Sequence, residues 1–333
     1  MTAAREIRLK SRPHGLPAHD NFELVKVDLP TPGPGQVQVR NLWMTVDPYM
    51  RGRMNDVKSY VPPFALGEAL QGGAVGEVVD SNDPNLRVGD LVLSMFGWRE
   101  AFNAPVGALQ KLDAHGLPPQ AFLGVAGMPG LTAYAGLLRV AGLKEGDVVF
   151  VSGAAGAVGS MVCQIAKAKG HVVIGSAGGP EKVAYLREIG VDHAIDYKAE
   201  PDLTAALARV APEGIDVYFD NVGGEHLEAA LNAARPFARF AECGMISMYN
   251  STEPPPGPRN IVQVVGKQIR IQGFIVSTHA DLQDEFQRDL AGWVREGKIT
   301  WRETVFEGIE RAPDAFLGLF TGENLGKMLV KLA

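Results

Sequence analysis

VVFVSGAAGAVGSMVCQIA, residues 148–166, carries no charged side chain over a length at which an apolar run becomes a candidate membrane span. Its internal pattern argues against that reading. Val148, Val149, Phe150 and Val151 form a short β-branched and aromatic block, after which Gly153, Gly156 and Gly159 follow at intervals of three and the periodicity turns helical. The pattern predicts a buried strand, a glycine turn and the start of a helix. In such a turn, glycines let backbone amides approach a pyrophosphate closely, and the helix N-terminus adds partial positive charge where those oxygens would sit. The fingerprint is incomplete, because Ala154 stands where its first glycine belongs and only Gly156 and Gly159 match. A tight strand-to-helix packing turn is the plain alternative.

The context favours the dinucleotide. Downstream, the apolar strands GHVVIGS, HAIDY, IDVYFDNV, ARFAECG and IRIQGFIV follow DVVFVSG, with helical patterns between most of them. That alternation predicts parallel strands joined by right-handed crossovers, a doubly wound sheet covered on both faces. Upstream, FELVKVDLP, GQVQVRNLWMTV, GGAVGEVVDS and GDLVLSMF are short strand-like blocks separated by turns such as PTPGPG, so the chain to about residue 120 reads as β-rich. The expected division is 1–122 together with 301–333 as a β-rich substrate domain, and 123–300 as the nucleotide-binding domain. The proline-rich STEPPPGPRN, residues 251–260, reads as an irregular loop.

Composition bounds the alternatives. With 333 residues, 46% hydrophobic and 21% charged, the chain can bury a large core and has the make-up of a folded protein. A formal charge of -6 and the lack of a basic patch argue against nucleic acid or an anionic membrane as partner. Two cysteines, Cys163 and Cys243, give neither a disulfide framework nor a paired-cysteine zinc site. The N-terminal MTAAREIRLKSRPHG is charged throughout, unlike a secretory signal, so a cytoplasmic location is expected.

The second strand bears on which dinucleotide binds. An NAD site places a carboxylate at its end to hold the free ribose hydroxyls. Here VVIGSAGGPEKVAYL supplies Ser176, Ala177 and two glycines, with no carboxylate before Glu181. Such a pocket suits the extra phosphate of NADP, which Lys182 could pair and Tyr197 could hydrogen-bond. A solvated helix charge and a half-buried strand residue are their plain alternatives.

Taken together, AAGAVG with FDNVGG (219–224), CGMIS (243–247) and ENLGK (323–327) resembles the medium-chain dehydrogenase/reductase superfamily. TVDPYMRGRM (45–54) narrows the resemblance to the zinc-independent leukotriene B4 dehydrogenase, prostaglandin reductase and plant alkenal double-bond reductase branch. It spans nearly the whole chain and implies an α/β fold, with a GroES-like β-rich domain beside a Rossmann NADP-binding domain. Zinc-dependent members carry a cysteine beside the DPYM region and a Gly-His-Glu later; this chain has Met44, Thr45, Val46 and Asp47 at the first place and Gly67, Glu68 and Ala69 at the second. His14, His19, His115, His171, His193, His226 and His279 show no ligand spacing, so no metal is expected.

The resemblance implies NADPH-dependent reduction of the C=C bond of an α,β-unsaturated aldehyde or ketone, with hydride delivered to the β-carbon and the enolate protonated at the α-carbon. The enolate oxygen then needs a hydrogen-bond donor, and an ordinary tyrosine, with a pKa of about 10, donates at neutral pH. Tyr249 is the first candidate, with Tyr49 and Tyr60 as further ones on the substrate wall; an aromatic plug is the alternative role for Tyr249 and domain packing for Tyr49. Cofactor contacts are expected from Gly156, Ala157, Val158, Gly159, Ser176, Lys182, Tyr197, Asn221, Cys243, Gly244, Met245, Ile246, Ser247, Tyr249, Phe274, Ile275, Val276 and Asn324. Asn221 could equally fix a turn, and residues 274–276 could be core. Cys243 reads as a small buried hydrophobe, with no basic neighbour to make it a nucleophile. IRIQGFIV as a sheet edge, with the family's habit, implies a homodimer. Quinone reduction and a non-catalytic NADPH-binding structural or sensing role remain as alternatives.

Overall fold

The computed structural model describes residues 1–114 and 116–333; His115 lies outside the described residues. Two compact units emerge, one of Met1–Leu123, Glu303–Asn324 and Met328–Ala333, the other of Gly124–Arg302 with Leu325–Lys327.

In the first unit, β1 (Thr2–Leu9) and β2 (Phe22–Leu29) pair antiparallel over their full lengths. A second sheet is built from β3 (Gln36–Thr45), β4 (Ala74–Ser81), β5 (Leu91–Ser94), β6 (Ala101–Pro105) and β7 (Gln110–Lys111). Between β3 and β4 lies the one-turn helix α1 (Met50–Arg53) of the PYMRGRM motif. Val37 and Val39 of β3 are fully buried, and the unit's largest fully buried side chain, Trp98, stacks on Phe22 with ring centroids 5.9 Å apart.

The second unit opens with α2 (Met128–Tyr134), then β8 (Val148–Val151), α3 (Ala157–Ala168), β9 (Val172–Ala177), α4 (Pro180–Glu188), β10 (His193–Asp196), α5 (Leu203–Val210), β11 (Ile215–Asp220), α6 (Glu225–Ala233), β12 (Ala234–Glu242), α7 (Gln263–Gly266), β13 (Arg270–Gly273) and α8 (Gln283–Arg295). Its six strands run parallel in the order β10-β9-β8-β11-β12-β13. The order reverses at β8, so the crevice beyond the C-terminal ends of β8 and β11 is the topological switch point, where doubly wound folds bind ligands. The uncharged 148–166 stretch folds as its pattern predicts: Val149, Phe150 and Val151 are fully buried, and α3 begins after the glycines. Phe150 stacks on Tyr218 of β11 at 5.2 Å.

One expected strand is shorter than its sequence suggests. In IRIQGFIV the sheet ends at Gly273, and Phe274 leaves it to pack edge-on against Phe219, ring centroids 6.1 Å apart. Finally β14 (Glu303–Glu307), α9 (Ala312–Thr321) and β15 (Lys327–Lys331) return, and β15 joins β3 in the first unit's sheet. Among the described residues, no helix is long and apolar enough to cross a membrane.

Candidate functional site

In the second unit, the expected cofactor residues lie at the C-terminal ends of its parallel strands. The glycine turn follows β8, and each glycine there has its own reason. Gly153 has φ +58°, a left-handed backbone that costs an L side chain. A Cβ on Gly159 would stand 2.3 Å from the Gly153 carbonyl oxygen and 2.8 Å from Ala154 Cα, both backbone atoms. Gly156 caps α3 with extended backbone and, having no side chain, makes no cap hydrogen bond to the first-turn amides. This cradle fits a pyrophosphate. Gly159→Ala is expected to destabilise the protein by about 1–3 kcal/mol, since an inserted methyl forces backbone to shift; an unchanged urea midpoint would show that the turn relaxes around it.

The tail completes the turn. Gly326 donates its N–H to Ala155 O at 2.8 Å and forms a bridge with Gly156. Its φ of +70° and a hypothetical Cβ 1.9 Å from Arg302 O mean that only glycine fits. The sequence carried Gly326 as part of ENLGK, without showing that it braces the glycine turn. Asn324, two residues earlier, belongs to the β-rich unit.

At the ends of β9 and β10 lie Tyr197 and Lys182, the residues expected at a ribose phosphate, together with Lys198, which the sequence reading did not single out. Tyr197 Oη and Lys198 Cε would stand 3.0 and 2.9 Å from a Cβ on Gly178, so both side chains lie over that glycine. Burial pulls the Lys182 ammonium below its ordinary value, and the charge of Lys198 pulls it further. The two lysine charges act on each other; β9 itself ends without a carboxylate, and Asp196, at the aligned end of β10, accepts the backbone N–H groups of Gly179 and Lys198 at 2.9 and 3.1 Å. Fully buried Ser176 shares a hydrogen bond of 2.9 Å with His226 Nε2, and the His226 ring meets Tyr197 at 5.0 Å. Burial pushes His226 down to about 4, against the opposing charge of Asp220, so it is a neutral prop at pH 7.

At the switch point, Asn221 donates its side-chain amide to Ser152 O at 2.7 Å and its backbone N–H to Ser152 Oγ at 2.9 Å, fastening the end of β11 to the end of β8. Residues 243–249 then lie along the turn that follows β11. Cys243 and Gly244 donate N–H groups to Asp220 O, Ile246 to Asn221 O, and Ser247 to Val222 O. Met245 packs on Gly223, whose φ of +73° keeps a side chain away. Cys243 is half-buried, and burial followed by the charges of Asp220 and Glu242 pushes its thiol up to about 12, which suits packing and not nucleophilic attack. Tyr249 folds back over this loop: its hydroxyl accepts Met245 N–H at 3.3 Å and occupies the space that a side chain on Gly244 would fill. Phe274, Ile275 and Val276 are half-buried, and Phe274 also meets His279 edge-on.

Tyr49 and Tyr60 lie in the β-rich unit. Tyr49 packs against the core that contains Met50 and Trp98; burial, then the Asp47 charge, raises its hydroxyl pKa well above the ordinary value, so it stays protonated. Tyr60 is 61% exposed. Arg53, 7% exposed, holds the segment that follows Tyr60: its guanidinium lies 4.0 Å over the Phe64 ring and donates to Pro62 O and Gln71 Oε1 at 2.9 Å each. At the positions compared with a zinc site, Thr45 Oγ1 donates to Asp47 Oδ2 at 2.9 Å. Among the described residues, no three His, Cys, Asp or Glu side chains cluster as metal ligands.

Comparison with known proteins agrees with this architecture. Residues 5–112 match the family described as the N-terminal domain of oxidoreductase, and residues 157–294 the family described as zinc-binding dehydrogenase. The chain is 45% identical to the NADPH-dependent curcumin reductase of Escherichia coli (strain K12), over 98% of this chain and 96% of that one. It is 42% identical to the NADP(+)-dependent 2-alkenal reductase of Nicotiana tabacum, over 99% and 97%. The crystal structure of CurA from Vibrio vulnificus in complex with NADPH superimposes with a TM-score of 0.94 at 44% identity, covering 99% of each chain. The chain therefore belongs to the medium-chain dehydrogenase/reductase superfamily, in the zinc-independent branch that contains the prostaglandin, alkenal and curcumin reductases.

Proposed function

We propose that the protein reduces the C=C bond of α,β-unsaturated aldehydes and ketones with NADPH. It is an NADP-dependent oxidoreductase of a family whose members act on double bonds. The observation that carries the choice of coenzyme is Lys198 over Gly178 with Lys182 near enough to feel its charge, at the end of a strand, β9, that carries no carboxylate of its own. NADPH supplies the hydride, received by the substrate's β-carbon; the electrons of the C=C bond shift to the carbonyl oxygen, and a proton then adds at the α-carbon.

This chain's residues do the rest. The glycine turn and α3 hold the pyrophosphate, Lys182, Lys198 and Tyr197 hold the ribose phosphate, and residues 243–249 line the nicotinamide. Tyr249 donates its hydroxyl proton to the developing enolate oxygen while accepting from Met245 N–H, two roles that one hydroxyl fills at once. Tyr49 and Tyr60 are assigned to substrate contact and Asn324 to coenzyme contact.

NADPH consumption with a panel of 2-alkenals, enones and quinones tests the proposal. Alkenals or enones should be turned over well above background and more efficiently than quinones. A quinone preference would favour the quinone reductase reading, and NADPH protection against thermal unfolding without any turnover a binding role. The four-residue edge β13 is assigned to a two-fold contact in a cytoplasmic homodimer. Light scattering should give twice the chain mass, and the monomer mass would remove that part of the proposal.

A further inference from the structure

Beneath the nicotinamide-lining loop lies a pair of acidic side chains that the proposed chemistry does not use. Asp220 ends β11 and Glu242 ends β12, and the two are aligned partners across the parallel pair. Aligned partners on neighbouring strands project to the same face, with backbones roughly 4.8 Å apart. One oxygen of Asp220, Oδ1, accepts from Ser152 Oγ at 2.8 Å, Tyr218 Oη at 2.7 Å, Val222 N at 2.8 Å and Gly223 N at 2.8 Å. The other, Oδ2, is buried without a partner, and so are both Glu242 oxygens. Three buried acceptors side by side cannot satisfy one another, whereas a single proton among them converts one into a donor.

We propose that Glu242 is a positioning residue that acts as a neutral carboxylic acid, donating its proton to Asp220 Oδ2 and so clamping together the strand ends that carry the 221–224 turn and the 243–249 loop. The geometry places the proton on Glu242, since Oδ1 of Asp220 is already filled by four donors. The groups that face the pair agree. Tyr218 and Ser152 donate to Asp220; Gly273, aligned with Glu242 on β13, offers no side chain, and Phe274 N–H meets only the Glu242 backbone oxygen at 3.4 Å. His226 from α6 feels the Asp220 charge, and His279, behind Phe274, has a buried Nδ1 without a partner. Asp220 is the charged group that acts on Glu242. Burial first, then that charge and the hydrogen bond to it, push the Glu242 carboxyl up to about 9. Ionisation above that value would set two like charges on adjacent strand ends and loosen the loop they anchor.

The inference rests on the coenzyme reading for its functional consequence, but its first two tests need no turnover. With carboxyl-labelled glutamate, carbon NMR of the intact protein should show one glutamate titrating near 9; titration of every glutamate in the ordinary range would overturn the proposal. In thermal unfolding, the raised folded value gives a contribution present in full below the unfolded value of 4.5 and lost progressively as pH rises to about 9. Wild type should therefore lose stability relative to Glu242→Gln over that interval, because Gln keeps a donor and cannot ionise. Parallel curves would count against the clamp. NADPH affinity, followed by fluorescence titration, should fall about tenfold per pH unit above the Glu242 transition in wild type but not in Glu242→Gln, beyond losses common to both. Should the glutamate titrate as stated while no alkenal is reduced, the clamp stands and the reductase reading falls; turnover with ordinary glutamate titration would leave the reductase reading standing and remove the clamp.

Discussion

Tyr249→Phe is expected to lower turnover of a 2-alkenal by about a hundredfold to a thousandfold, the usual effect of removing one well-placed oxyanion donor. The ring itself should stay where it is. It lies in the loop whose amides of Cys243, Gly244, Ile246 and Ser247 are all held by carbonyls of residues 220–222, so the fold does not depend on the hydroxyl. What the substitution removes is the acceptor for Met245 N–H and the donor proposed for the enolate oxygen. The first loss is shared by ground and transition states, whereas the second acts only where negative charge develops, which is why kcat and not the KM for NADPH should carry the change. A fall in kcat of less than about threefold would show that the hydroxyl braces its own loop and that another group, or water, meets the enolate. Gly244→Ala supplies an independent check, because its methyl would come within 2.9 Å of the Tyr249 hydroxyl and push it off its position with the hydroxyl intact.

The glycine turn was legible because its physics is local. An apolar block too short for a helix, followed by glycines at helical spacing, admits few foldings, and the backbone collisions at Gly159 explain why. Parallel order followed from strand and helix alternation, and the proposal for Lys182 rests on its place in the first turn of the helix after the second strand. What stayed hidden was set by register and crossover. Lys198 lies beyond β10, yet a Cβ on Gly178 beyond β9 would nearly touch it, because β9 and β10 are neighbours. His226 stands in an unremarkable GGEHLEAA and becomes the prop for Ser176 only when α6 meets β9. Glu242 read as one acidic residue in ARFAECG; its pairing with Asp220 depends on which residues of β11 and β12 align, and the ladder has a bulge near Ile215 that local pattern cannot reveal. Length failed at IRIQGFIV for the same reason: its apolar continuation after Gly273 is satisfied by Phe219 and His279, not by further strand pairing.

Lys182→Ala is expected to raise the KM for NADPH by about 10- to 100-fold while leaving that for NADH within about twofold, the range for losing a hydrogen bond to a charged group. The side chain is half-buried, and burial together with Lys198 makes its charge costly to hold without an anion nearby. A bound phosphate offsets that cost, so removing the ammonium should harm only the coenzyme that carries the phosphate. NADH would gain slightly if anything, since it leaves two neighbouring cations unneutralised in wild type. Lys198→Ala should act in the same direction but less strongly, because Lys198 is exposed and water screens it. The double variant is expected to lose less than the product of the two single effects, since each deletion relieves repulsion on the lysine that remains. Salt provides the orthogonal measurement: raising ionic strength should weaken NADPH binding in wild type and have little effect in the double variant. Equal losses for NADPH and NADH in Lys182→Ala would remove this residue from the phosphate pocket and make it a brace for α4.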